Sequence, residues 1–146
     1  MAVSSHVFGL ALQSMLNKEI NFASDTVKAM LVTSAYTPSM DTHRYKSSVT
    51  NEASGTGYTA GGQTLTSKTV SYNTASHTLT LSCANPSWPS SAITARYLVF
   101  YVSTGTDSTS PLIAYVDFGV DTVSVTTGPA FTYTVPSTGI AQFIAA

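Results

Sequence analysis

The sequence predicts an all-β fold, a jelly-roll-like two-sheet β-sandwich with one short N-terminal helix. Three observations carry that expectation. Residues 93–102 and 111–119 are two apolar runs, rich in β-branched and aromatic side chains, that flank a loop of Ser, Thr, Gly and Asp. Shorter, more polar segments lie around them, for a total of eight or nine strands, with turn residues at roughly 8–12-residue spacing. No repeat of fixed period is visible, which rejects propellers and solenoids. At 146 residues the whole chain, 1–146, reads as a single domain, large enough to fold without a disulfide or metal.

The one expected helix covers residues 4–17, with Ser4 or Ser5 as its N-cap. Val3, Val7, Ala11 and Met15 recur at intervals of four, with Phe8, Leu12 and Leu16 beside them. Such a broad apolar stripe suits packing on the sheet or closing one end of it. It also suits an arm that docks on another subunit.

Strands are expected from about 27 to 144. Residues 27–34 form the first, ended near Pro38, which has no backbone donor for a ladder. Residues 40–53 are polar and hold Asp41, His43, Arg44, Lys46 and Glu52, so a long surface loop is expected there. A glycine-rich bend at 54–62 leads into a strand over 64–72, which turns at 73–76 into a strand over 77–83. Leu79, Leu81 and Cys83 share a face of the latter, and Cys83 reads as a small buried hydrophobe. Pro86 and Pro89 bracket Trp88 in a loop. In the central pair Leu98, Phe100 and Val102 alternate with Tyr97, Val99 and Tyr101. Both faces are therefore apolar, and the pair belongs in mid-sheet, covered on each side. Short strands at 122–126, 130–135 and 139–144 complete the chain.

Only 9% of residues are charged, against roughly 25% in an average domain, and the net charge is −1. Six Lys and Arg spread along the chain do not supply the basic face that direct nucleic-acid binding needs. Nearly a third of the residues are Ser or Thr, which keep a surface wet without charge. This composition suits extracellular-type, fibre or virion β proteins. No apolar run approaches the ~20 residues of a membrane span, and no signal peptide is expected.

Motifs for chemistry are weak. Residues 55–60 match the letters of a dinucleotide fingerprint, but no helix is expected after them to meet a pyrophosphate. Asp41 and His43 are two candidate metal ligands where zinc wants three or four. No Gly-x-Ser-x-Gly elbow is present. The expectation is a protein with no catalytic residues, no metal and no cofactor. Trp88, Tyr36, Tyr45 and Tyr58 lie in or near loops, where exposed rings would bind sugar or a protein and buried ones would plug the sandwich.

Four stretches together carry a resemblance. They are Thr33-Ser34-Ala35-Tyr36-Thr37-Pro38, Glu52-Ala53-Ser54-Gly55-Thr56-Gly57-Tyr58-Thr59-Ala60-Gly61-Gly62, Ile93-Thr94-Ala95-Arg96-Tyr97, and residues 110–119 from Ser110-Pro111 to Phe118-Gly119. In this order and spacing the chain resembles small virion proteins of tailed bacteriophages, of the capsid decoration or cement type. The resemblance implies a β domain on the outer capsid surface, assembled in the host cytoplasm. Its partners would be the major capsid protein, whose subunits it bridges, and itself, as a homodimer or homotrimer. Neither membrane nor nucleic acid would be bound directly. The contact residues expected from the sequence are Phe8 and Leu12 of the helix and the loop residues Tyr36, Met40, Arg44 and Trp88. The alternatives are a tail or head–tail connector component, and a carbohydrate-binding β-sandwich module using Trp88 and loop tyrosines.

Overall fold

The two apolar runs pair in the computed structural model, which describes residues 2–145. β7 (Thr94–Val102) and β8 (Leu112–Val123) are antiparallel neighbours, with Leu98 opposite Val116 and Val99 opposite Tyr115. β2 (Val27–Val32) lies on the other side of β7, and β3 (Gln63–Thr64) beyond it. β1 (Ser4–Val7) pairs with the free side of β8, giving a five-stranded sheet in the order β1-β8-β7-β2-β3. A second layer is divided in two. β4 (Thr69–Asn73), β5 (Thr78–Ser82) and β10 (Ala141–Ile144) form one sheet in the order β10-β5-β4, and β6 (Ser87–Trp88) pairs with β9 (Phe131–Thr132). The molecule is an all-β sandwich with one short helix, α1 (Gly9–Leu16), near its N-terminus.

Every residue of β7 from Tyr97 to Val102 is buried, because both faces of the large sheet are covered. On one face Leu98 and Phe100 look toward the second layer, where Phe100 packs on Tyr133 at 6.2 Å between ring centroids. On the other, Tyr97 meets Tyr36 edge-on at 5.9 Å and Tyr101 donates to the Gly61 carbonyl, so the 33–62 segment forms the lid of that face. Leucine, valine, isoleucine and aromatic side chains from both layers make one continuous core. Among the described residues no buried side-chain nitrogen or oxygen lacks a hydrogen-bond partner.

Several elements depart from the sequence expectation. Trp88, expected in a loop, lies in β6, and the strand expected over 130–135 is only the two residues of β9. The helix expected over 4–17 is shorter. Residues Ser4–Val7 are a strand paired with Ala114–Asp117, and neither Ser4 nor Ser5 caps α1, whose N-cap is Phe8. The apolar spacing fits a helix, but β8 offers an open ladder, and pairing satisfies the backbone of these residues while His6 stacks on Tyr115. The strand expected over 64–72 is two strands in different layers. Ser67 adopts a positive φ of 50° between them, and the chain crosses from the large sheet to the small one there. Of the strand expected over 122–126, only Thr122 and Val123 form one, as the end of β8, which continues past an irregularity opposite Ala95–Tyr97; residues 124–126 leave the sheet.

α1 closes the end of the sandwich at which β2 and β8 begin. The Phe8 amide donates to the Ile113 carbonyl, and Met15 shares a groove with Val70 and Leu81 of the small sheet. The 40–53 segment is irregular, as expected, apart from a single turn of 3-10 helix at Lys46–Ser48. It is also pinned: Tyr45 bridges to Pro111 and Glu52 to Val32. No helix among the described residues is long and apolar enough to cross a membrane.

Candidate functional site

The charged residues are used mainly as clasps between segments. Arg44 Nη2 donates to both Glu19 oxygens, at 2.9 and 3.0 Å, and Arg44 Nε donates to the Ser14 hydroxyl at 3.2 Å. The Tyr45 hydroxyl donates to the same carboxylate at 3.3 Å. Partial burial pushes the Glu19 carboxyl up, but the hydrogen bonds from Ser14, Arg44 and Tyr45 and the Arg44 charge outweigh it and leave it below its ordinary value. Lys46 pairs with Asp107 at 2.9 Å, and Arg96 with Asp117 at 3.1 Å. Asp117 follows the same logic as Glu19: burial raises it, while Arg96 and the Gly119 N–H more than compensate and lower it.

The Arg44 clasp builds a surface. It locks the C-terminal half of α1 to the 40–46 segment, while the Gly9 N–H donates to the Met40 carbonyl at 2.9 Å and locks the N-terminal half. Inward, α1 buries Ala11 and Ser14 below Phe8. Outward it shows Leu12 and Leu16, one helical turn apart, 48% and 86% exposed, with Met40 43% exposed on the adjoining loop. Two segments distant in sequence thus present apolar side chains from backbones held in place before any partner arrives.

Of the six contact residues expected from the sequence, the structure brings three into this surface: Leu12, Met40 and Arg44, the last as its internal strut. The other three are core. Phe8 is 0% exposed and packs on Tyr115 at 5.2 Å. Tyr36 is 2% exposed and Trp88 3%. Trp88 sits between Tyr58 at 6.2 Å and Phe131 at 6.0 Å, so its ring has no free face on which a sugar could stack. Tyr36 lies in a loop that folds back over the large sheet, and Trp88, expected in a loop, lies in β6 opposite Phe131; both rings plug the sandwich. Leu16 was missed, although its place on the stripe with Leu12 was visible in the sequence.

The remaining sequence candidates have structural roles. His43 is half-buried beside Tyr36, with its Nδ1 taken up by the Tyr36 hydroxyl at 2.8 Å. Burial holds its imidazole below the ordinary value. The glycine-rich bend leads into β3, not into a helix. Within it the Tyr58 hydroxyl donates to Glu52 Oε1 at 2.7 Å and accepts the Leu31 N–H at 3.0 Å. Cys83 is half-buried where full burial was expected, and loss of water raises its thiol to about 11.

No protein-family model, curated protein or solved structure matches this chain.

Proposed function

We propose that this protein is a structural component of a tailed-phage virion, a cement or decoration protein that bridges major capsid protein subunits on the outer surface of the head. The observation that carries the reading is the outward face of α1 joined to Met40. Its apolar side chains stand on segments fixed to each other by the Arg44–Glu19–Ser14 clasp and the Gly9–Met40 bond. A rigid surface loses little freedom on docking, so most of its contact energy is kept. Such work requires matched surfaces and no bond-making. The neutral, Ser- and Thr-rich composition and the resemblance over most of residues 25–119 support the same reading. Many weak contacts on a lattice act together, so each one need be only modest.

The test separates purified virions into heads and tails and locates the polypeptide by mass spectrometry. Leu12→Asp and Met40→Asp variants, with unchanged circular dichroism, are then added to heads that lack the protein. The reading expects the wild-type chain in the head fraction and both variants to bind at least about tenfold more weakly, since each buries a charge in an apolar contact. Its presence in tails alone would favour the connector or tail reading, and absence from virions would end both. Burial of Trp88 weighs against the sugar-binding alternative.

A further inference from the structure

We propose that the outer edge of β4 is a self-association surface. Two copies of the chain pair β4 with β4, antiparallel, across a two-fold axis through Ser71, and so join two three-stranded sheets into one of six strands. The inference does not rest on the virion reading, because the edge belongs to the fold itself.

β4 pairs with β5 through five residues, Thr69 to Asn73, and its other side makes no backbone hydrogen bond among the described residues. All five residues are exposed. The other edges of the five- and three-stranded sheets differ. β1 and β10 lie against each other, with Ser5–Val7 and Gly139–Gln142 as the two walls of one cleft. β3 has two residues, and its Gln63 side chain is tied to the Ser87 backbone. Natural edges of this length carry a charge, a proline or a bulge that repels strand addition. Thr69-Val70-Ser71-Tyr72-Asn73 has none of these. The nearest cation, Lys68, is turned away, with its ammonium donating to the Asp25 carbonyl and lying 5.8 Å over the Phe22 ring.

Water satisfies this edge in the monomer, another extended strand can take its place, and the register suits a second copy. With Ser71 on the axis, Val70 faces Tyr72 of the second copy and Tyr72 faces its Val70. Aromatic and β-branched residues directly opposite each other are favourable cross-strand pairs. Val70 and Tyr72 are the apolar residues of the strand, 48% and 52% exposed, and point to one face. On that face lies a groove of about 610 Å³ lined by Met15, Ile20, Phe22, Val70 and Leu81. The incoming Tyr72 stands beside Val70 at its mouth, and symmetry repeats this contact in the other copy. The two Lys68 residues fall beyond opposite ends of the paired strands, so no like charges meet.

One strand pair buries less than the roughly 1,200 Å² of a standard interface, so the dimer forms at high local concentration. The monomer is complete without it. All five residues of β4 are exposed, so substitutions there remove no core side chain.

Sedimentation velocity on the purified full chain, from micromolar to millimolar concentration, is the test. A monomer–dimer equilibrium is expected. Ser71→Lys sets two like charges face to face and raises the dissociation constant about tenfold or more, with an unchanged melting temperature. Ser71→Cys places two thiols opposite each other and yields an oxidised covalent dimer far faster than wild type, whose thiol is the half-buried Cys83. A wild-type chain that stays monomeric throughout, with no added cross-linking in Ser71→Cys, overturns the proposal. So does a dimer that Ser71→Lys leaves intact, since it would use another surface.

Discussion

The Tyr36 hydroxyl and the Ser39 amide both donate to one nitrogen, His43 Nδ1, at 2.8 and 3.4 Å. That nitrogen must therefore be unprotonated in the folded chain. Burial pushes the same way and holds His43 below its ordinary value. A base depressed by folding is bound by fewer protons in the native state. Its contribution to stability is complete above the unfolded value near ~6.5 and is lost as pH falls from there toward the lower native value. Melting temperature should fall over that window in the wild type. His43→Phe should remove that part of the slope while costing about 1–3 kcal/mol at neutral pH, because Tyr36 is left unpaired. A wild-type melting temperature that is flat through this window would contradict the assignment.

The Glu19–Arg44 pair titrates in a separate, more acidic window. Glu19 is depressed, so the stability it contributes is present above the ordinary carboxylate value and lost as pH falls through the native one. Both members of the pair are partly exposed, the Arg44 side chain 23% and that of Glu19 32% accessible, which limits the pair through solvent screening. A double-mutant cycle with Glu19→Gln and Arg44→Gln should give a coupling of about 0.5–1 kcal/mol that shrinks in high salt. Coupling that is zero in low salt would mean the clasp does not hold α1 to the loop.

Tyr58 ties a partly buried polar knot. Its hydroxyl serves the Leu31 N–H in β2 and the Glu52 carboxylate at once. Tyr58→Phe should destabilise the fold by about 1–3 kcal/mol in chemical denaturation, since both partners lose a hydrogen bond away from water. Tyr72→Phe, on the exposed edge of the small sheet, should be close to neutral and serves as the control.

Two glycines at positive φ should answer differently to alanine. At Gly62, φ is 77° and an added Cβ would fall 1.9 Å from the Ala29 carbonyl oxygen, inside the β2–β3 ladder. At Gly105, φ is 91° and nothing lies within 4 Å. Gly105→Ala should cost about 1 kcal/mol, from backbone strain alone. Gly62→Ala should cost several times that or prevent folding, because backbone must move. Equal losses in the two variants would be the adverse result.

Much of this was legible in the chain. The central pair, the turn expected at 73–76 and found one residue later, and the fold class follow from periodicity that only strands fit, and from side chains that are apolar on both faces of one pair. The length of α1 was not legible. Val3, Val7, Ala11 and Met15 satisfy a helical stripe, and only the open ladder of β8 decides that residues 4–7 pair instead. Nor was the fate of the loop aromatics. Ring size and loop position do not say whether a segment lies flat on a sheet: Tyr36 is buried because its loop does, and Trp88 because its segment pairs as β6 with β9.

The sequence by itself determined the β architecture, the near absence of net charge and the identity of the apolar stripe that holds Leu12. Those are local properties of spacing and side-chain chemistry. Tertiary structure alone decided which of those side chains face water, which salt bridges join distant segments, and that β4 ends as an open edge. Each depends on what the rest of the chain covers, and coverage is settled only when the layers meet.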